Sequence, residues 1–336
     1  MSETQRNNGF LYVGILMITS SIMLALCCSP HEKSYPPNPG RRKVGAWLWA
    51  KAENFEQIKY QLLNTSSWGG LLDVVQVGGC GWAIDGGVMM INKTLWDGVE
   101  CRTVLEALIE MNIDVHMWVG GVPNEIFAQP EKFTNSVREL LRKYNFVKGI
   151  HFDDETECAP RANIQDFKLW LEFMNIFSDH MHELNVQVTV AVQAIFGIEN
   201  VPYEHNYPCL RAPWKYKTDP KLLQLLTKMR VDRFLEMDTY YFTLARYLNA
   251  LDWYVQSMPI EKLGVAVANH DVNPLSNDND YLSRVYALDK TNVDWWNFYA
   301  LPIDENWVEW AWRWKTRCLG CSNLSCYELD VQCSRP

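Results

Sequence analysis

The chain has 336 residues and a formal charge of −9, with 48% hydrophobic and 21% charged residues. That length supports one barrel-sized core as readily as two smaller ones, and the acidic balance argues against a dedicated nucleic-acid binder, which needs a concentrated basic face. Aromatics make up 13%, including 15 Trp, which excludes low-complexity disorder, since such a chain can offset its ordering entropy by burial.

In chain order, the first feature is an uncharged, predominantly apolar run from Phe10 to Cys28. It sits where a secretory signal sits, so residues 1–28 are expected to be a signal peptide or a signal anchor. Arg6 supplies a thin basic region, and Ala25 and Cys27 are small enough for cleavage before Cys28. A retained anchor would draw the Lys33, Arg41, Arg42, Lys43 flank to the cytoplasm, against the cysteine usage below. Cleavage is the simpler account, and membrane attachment is expected only if the segment is retained. Residues 29–43 read as a linker, with Pro36, Pro37 and Pro39 extending the backbone and Gly40 breaking any helix.

Of the 10 Cys, two lie in the leader; the rest are Cys80, Cys101, Cys158, Cys209, Cys318, Cys321, Cys326 and Cys333. An even set, with glycosylation sequons at Asn64, Asn92 and Asn323, points to disulfides in the secretory pathway, the protein being secreted or luminal. The tail lacks a second C-x2-C knuckle or a nearby His, so disulfides rank above zinc and no metal site is expected. Spacing does not fix the pairing. The expected bridges are Cys80–Cys101 and Cys158–Cys209, with the Cys-rich tail, residues 317–336, closing on itself.

Between linker and tail, short apolar runs alternate with helical patterns. Candidate strands are 44–50, 71–77, 114–119, 149–152, 187–192, 233–237, 263–268 and 294–299. Candidate helices are 54–63, 102–111, 131–143, 164–184, 221–228, 243–257 and 281–289, with 307–315 after the last strand. Such alternation indicates parallel β/α units, and their number matches an α/β fold of the (β/α)8 TIM-barrel type spanning residues 44–316. An open doubly wound sheet is the alternative, but the first strand runs into Ala46-Trp47-Leu48-Trp49-Ala50 where a phosphate-binding glycine fingerprint would stand.

A barrel of this kind carries its chemistry at the carboxyl ends of its strands. The densest polar cluster there is Val147-Lys148-Gly149-Ile150-His151-Phe152-Asp153-Asp154-Glu155. Strand alternation puts Gly149, His151, Asp153 and Glu155 on one face and Ile150 and Phe152 on the other, the apolar pair suiting the helix side. Neighbouring carboxyls repel when both are ionised, which raises one pKa and keeps a proton available, the equipment for glycosidic cleavage.

This segment resembles the active-site signature of glycoside hydrolase family 18, the chitinase-like barrels, D-G-x-D-x-D-x-E. Gly149 matches its Gly, Asp153 its last Asp and Glu155 its Glu, while Lys148 and His151 replace its first two aspartates. Trp118-Val119-Gly120-Gly121 is similar to the family's third-strand ending. Met237 to Tyr241 is similar to its sixth-strand Met-x-Tyr-Asp, with Tyr240 on the Tyr. Trp295 or Trp296 stands where an eighth-strand Trp floors the sugar site. The stretch Gly149 to Asp154 is also similar to bacterial glycosyl-hydrolase-like barrels bearing GIHFDD.

The resemblance implies a glycosidase of N-acetylglucosamine-containing glycans, chitin-like oligosaccharides or N-glycan core, working by substrate-assisted acid catalysis without a cofactor. Glu155 protonates the leaving oxygen, Asp153 orients the 2-acetamido group, and Tyr240 donates a hydrogen bond to it. Glycan contacts are expected from His151, Asp154, Trp47, Trp118, Gln193, Asp238, Trp295 and Trp296. A cationic His151 would lower the Asp153 pKa and move the optimum towards neutrality. Ordinary readings stand beside these: the acids could be structural loop residues, His151 a satisfied barrel residue, and Asp238 a turn residue. Two other functions remain open, a catalytically silent chitinase-like lectin and a hydrolase of other polysaccharides using Asp153 and Asp154. Trp170, Trp253, Trp307, Trp310, Trp312 and Trp314 read as helix packing.

Overall fold

The computed structural model describes residues 42–49, 71–91, 99–120, 126–127, 129–153, 164–192, 224–225, 227–236, 244–267, 278–298 and 305–316. All belong to one compact unit, Arg41–Leu319. The expected leader, the helix at 54–63, the three sequons, the Cys158–Cys209 bridge and the Cys-rich tail lie outside the described residues.

Eight parallel strands close into a barrel: β1 (Lys43–Trp49), β2 (Val74–Gly78), β5 (Asp114–Gly120), β6 (Val147–Asp153), β7 (Gln187–Val192), β8 (Arg233–Glu236), β9 (Leu263–Val267) and β10 (Trp295–Phe298). β1 closes the ring by pairing with both β2 and β10. The helices are α1 (Val99–Glu110), α2 (Pro130–Lys143), α3 (Ile164–His182), α4 (Leu244–Ser257), α5 (Asp278–Asp289) and α6 (Glu305–Thr316). The second strand begins at Val74, later than expected, because Asp73 serves as a cap: its Oδ2 accepts from the Val44 backbone N–H at 2.9 Å and from Lys315 Nζ at 2.7 Å.

A hairpin absent from the expected elements, β3 (Trp82–Asp85) and β4 (Val88–Ile91), follows β2. Its two-residue loop, Gly86-Gly87, has φ of +54° and +74°, the left-handed pair that matches strand twist in a tight hairpin. Met89 N–H donates to Ser136 Oγ at 2.8 Å, tying the hairpin to α2. The Cys80–Cys101 disulfide joins the segment before the hairpin to α1, with the Cα atoms 5.4 Å apart, as expected from the sequence.

Alternation sorts each barrel strand into two faces. Outward residues such as Val44, Val75, Met117, Ile150, Phe152, Val188 and Trp296 join the helices in the main core. Phe152 is wedged between α2 and α3, its ring 6.4 Å from Phe133, 5.9 Å from Phe173 and 5.1 Å from Phe177, which fixes the height and rotation of β6. Inward, Trp47, Val74, Leu235, Ala266 and Trp295 form a second, smaller core. Trp295 fits because Gly45 and Gly264 lack side chains: a Cβ at Gly45 would lie 3.0 Å from its indole nitrogen, and one at Gly264 3.3 Å from its ring.

Candidate active site

All eight strands run the same way, so their carboxyl ends share one face of the barrel. On the inner side of that face stand Trp49 at the end of β1, Gly78 at the end of β2, Trp118 and Gly120 on β5 and Asp153 at the end of β6. Asp153 is half-buried and paired in register with Gly120, an exposed glycine where an added Cβ would meet nothing nearer than the Asp153 backbone oxygen at 3.7 Å. The Asp153 Oδ1 is itself shielded from solvent.

Trp49 and Trp118 meet edge to face, with ring centroids 5.3 Å apart at 82°. Both rings cover Gly78, where an added Cβ would come within 2.7 Å of Trp49 and 2.9 Å of Trp118. Trp49 is 46% exposed, far more than an indole of the core. This aromatic shelf at the barrel mouth offers a flat apolar face beside an acid, the pairing that binds polar molecules with apolar faces. Trp118 is among the glycan contacts expected from the sequence and Trp49 is not; its place as the last residue of β1 was the signal.

Beneath the shelf the barrel interior is polar and closed. His151 is fully buried. Its Nε2 receives a hydrogen bond from Trp47 Nε1–H at 2.8 Å, and its Nδ1 lies 2.9 Å from Thr189 Oγ1. Because an indole N–H only donates, Nε2 carries the lone pair, and a neutral ring then holds its proton on Nδ1 and gives it to Thr189. Burial, helped by the neighbouring His116, holds the His151 pKa well below the usual histidine value. Of the readings left open for His151, a cation beside Asp153 or a satisfied barrel residue, the structure matches the second, and two internal partners take the place of the expected glycan contact.

One residue pair deeper, Trp47, Gln76, His116 and Gly149 are successive partners across β1, β2, β5 and β6. The His116 ring lies flat over Gly149, where a Cβ would sit 2.4 Å from the imidazole. Desolvation, with Lys43 adding positive potential, lowers the His116 pKa to about 3. The side-chain nitrogens of His116 and both polar atoms of Gln76 are buried without a hydrogen-bond partner.

Three expected glycan contacts stand elsewhere. Trp47 is buried in the inner core and spends its N–H on His151. Trp295 opens β10, at the amino end of the barrel, where the Lys43 ammonium lies 5.3 Å and the Arg233 guanidinium 5.7 Å from its ring centroid. Trp296 points the other way, into α6, with ring centroids 6.1 Å from Trp307 and 5.6 Å from Trp314. Neither Trp295 nor Trp296 floors the mouth. Glu155, Tyr240, Asp154, Gln193 and Asp238 lie outside the described residues. β6 ends two residues before Glu155, and β8 ends at Glu236, just before the segment containing Asp238 and Tyr240. Among the described residues no group of three His, Cys, Asp or Glu is placed to hold a metal ion.

No family model matches the sequence, and no curated protein does. Solved structures do match. A chitinase from Chromobacterium violaceum ATCC 12472 superposes with a TM-score of 0.58 at 12% identity, over 81% of this chain and 98% of that one. The Bacillus megaterium QM B1551 spore cortex-lytic enzyme SleL gives 0.54 at 10% identity, over 82% and 76%. A GH18 chitinase from Pseudoalteromonas aurantia gives 0.53 at 11% identity, over 82% and 99%. At these identities the likeness is one of fold, the (β/α)8 barrel that this chain has in common with those chitinases.

Proposed function

We propose that the protein is an exported glycoside hydrolase acting on N-acetylglucosamine-containing glycans, with Glu155 as the acid and Asp153 as the carboxylate that orients the acetamido group. The observation that supports this reading is Asp153 on the inner face at the carboxyl end of β6, on the side of the barrel that carries the Trp49–Trp118 pair. Glu155, two residues further along the sequence, carries the proton for the leaving oxygen. Asp153 holds the acetamido nitrogen so that its carbonyl attacks the anomeric carbon, and Tyr240 hydrogen-bonds the acetamido oxygen as charge develops. The Cys80–Cys101 bridge supports an oxidising compartment.

A carbohydrate-binding barrel without turnover is the second reading. His151 favours it, because a neutral imidazole with both nitrogens engaged stands where the family signature has a carboxyl. A panel of chitooligosaccharides, N-glycan substrates and non-acetylated polysaccharides, assayed with wild type, Glu155→Gln and Asp154→Asn, separates the readings. Turnover of acetylated substrates by wild type, lost in Glu155→Gln with binding retained, is the expected result. Equal binding by wild type and Glu155→Gln without turnover selects the binding protein. Turnover of non-acetylated substrates, abolished in Asp154→Asn, selects an Asp153/Asp154 hydrolase.

A further inference from the structure

We infer that Gln76 and His116 together form a binding site for internal water in the closed centre of the barrel. The inference stands or falls apart from the hydrolase reading. The two residues are in-register partners on β2 and β5, and both are fully buried. Barrels of this type fill their inner positions mainly with branched aliphatic side chains, so an amide and an imidazole here call for polar partners. Four of their atoms, Gln76 Oε1 and Nε2 and His116 Nδ1 and Nε2, are buried with no hydrogen-bond partner among the described residues.

The polar groups around them are engaged with one another. Trp47 Nε1–H is spent on His151 Nε2 at 2.8 Å, and His151 Nδ1 lies 2.9 Å from Thr189 Oγ1. On β10, Trp295 Nε1–H donates to Asn297 Oδ1 at 3.3 Å, and Asn297 Nδ2 donates to the Phe298 carbonyl at 3.3 Å. Nor can the pair satisfy itself. The two imidazole nitrogens point away from different sides of the ring, so one contact with the amide would settle one nitrogen and one amide atom and leave the other two. The ring also has little freedom to turn, because it lies against Gly149, where an added Cβ would sit 2.4 Å from it.

The occupant has to give and accept hydrogen bonds and carry no charge. A neutral His116 offers one N–H and one lone pair, and the Gln76 amide offers two N–H and a carbonyl. Lys43 adds positive potential at His116, which works against a cation, and the neutral ring and amide supply no ionised donor for an anion. Water meets the demand, and buried water in proteins typically makes about three hydrogen bonds to groups of this kind. Trp47 and His151 lie to one side of the pair and Val74 and Trp295 to the other, all of them buried, so water held there exchanges slowly with solvent.

The test is water–protein cross-relaxation NMR on the isotopically labelled full-length protein, together with a crystal structure that resolves ordered water. The Gln76 side-chain amide protons and the carbon-bound ring protons of His116 should show cross-peaks to long-lived water. The density should show an oxygen about 2.7–3.2 Å from a Gln76 amide atom and from a His116 nitrogen. Gln76→Met keeps the length of the side chain without its amide, and the His116 cross-peak to water should be lost in it. A direct Gln76–His116 hydrogen bond with no water beside it overturns the site, as does density for a metal ion or a halide in its place. A His116 cross-peak of undiminished strength in Gln76→Met overturns the shared binding. If that variant fails to fold, the two wild-type measurements decide the matter by themselves.

Discussion

His116 and His151 are carried into the fold as neutral rings, and this sets a pH dependence of stability. The unfolded chain takes up a proton near 6.5, whereas folded His116 resists it down to about 3. Between those values the unfolded state binds more protons, so stability is complete above 6.5 and declines as pH falls through the window. Each such histidine contributes a slope of roughly 1.4 kcal/mol per pH unit. Urea unfolding at pH 7 and pH 5 should show the loss, and His116→Asn should remove about half of the histidine part; an unchanged slope in that variant refutes the account. Gly149→Ala should be more damaging than its size suggests, since its Cβ would fall 2.4 Å from the His116 ring between fixed strands. A cost of about 1–3 kcal/mol, read from the urea midpoint, is expected for such overpacking. The inward direction of His151 was legible from alternation along 149–155. Its neutrality was not, because its partners lie 104 and 38 residues away in sequence and only barrel closure brings them in.

Among elements, β6 is held from outside by Phe152 between α2 and α3, so the acid-bearing strand owes its placement to aromatic packing on its opposite face. The β/α alternation was legible because parallel strands are short, apolar and separated by amphipathic helices. The β3–β4 hairpin was not, since Trp-Ala-Ile-Asp and Val-Met-Met-Ile are only four residues each, the second without any polar alternation, and the Asp85-Gly86-Gly87 turn signal stood alone. The two faces of β10 were equally hard to tell apart. Barrel strands bury both sides, so nothing in Trp295-Trp296 says which ring faces in; the register of Trp295 with Lys43 decides it. The hairpin's neighbouring disulfide closes a span of 21 residues, for which chain entropy predicts about 3 kcal/mol of stabilisation. Cys80→Ala with Cys101→Ala should therefore lower the urea midpoint with an altered m-value, while Cys80→Ala alone in reductant should match the double variant. Loss well under about 1 kcal/mol would place the bridge outside the folding unit.

The molecule as a whole separates its stabilising pole from the pole that carries the proposed site. At the amino ends of the strands, Arg42 pairs with Asp289 at 2.7 Å, donates to the Trp314 carbonyl at 2.6 Å and lies 4.7 Å above the Trp314 ring. Lys315 reaches back from α6 to Asp73 and to the Leu71 carbonyl, so the last helix is stitched to the first two strands where the ring closes. These contacts are mostly shielded from solvent, which makes removal of one partner costly even though the pair itself adds little over an apolar substitute. Lys315→Met should accordingly lower stability by about 1–3 kcal/mol, measured as a fall in the urea midpoint, and leave glycan binding untouched. Trp49→Ala at the opposite pole should do the reverse. Nearly half of Trp49 is solvent-exposed, so the stability cost should stay below about 1.5 kcal/mol, while affinity for a chitooligosaccharide should drop on the order of tenfold. Isothermal titration and urea denaturation on the two variants test the separation together. If Lys315→Met weakens glycan binding as much as Trp49→Ala does, the poles are coupled through the barrel interior, and the buried Trp47, Gln76, His116 and His151 layer becomes the route by which one end senses the other.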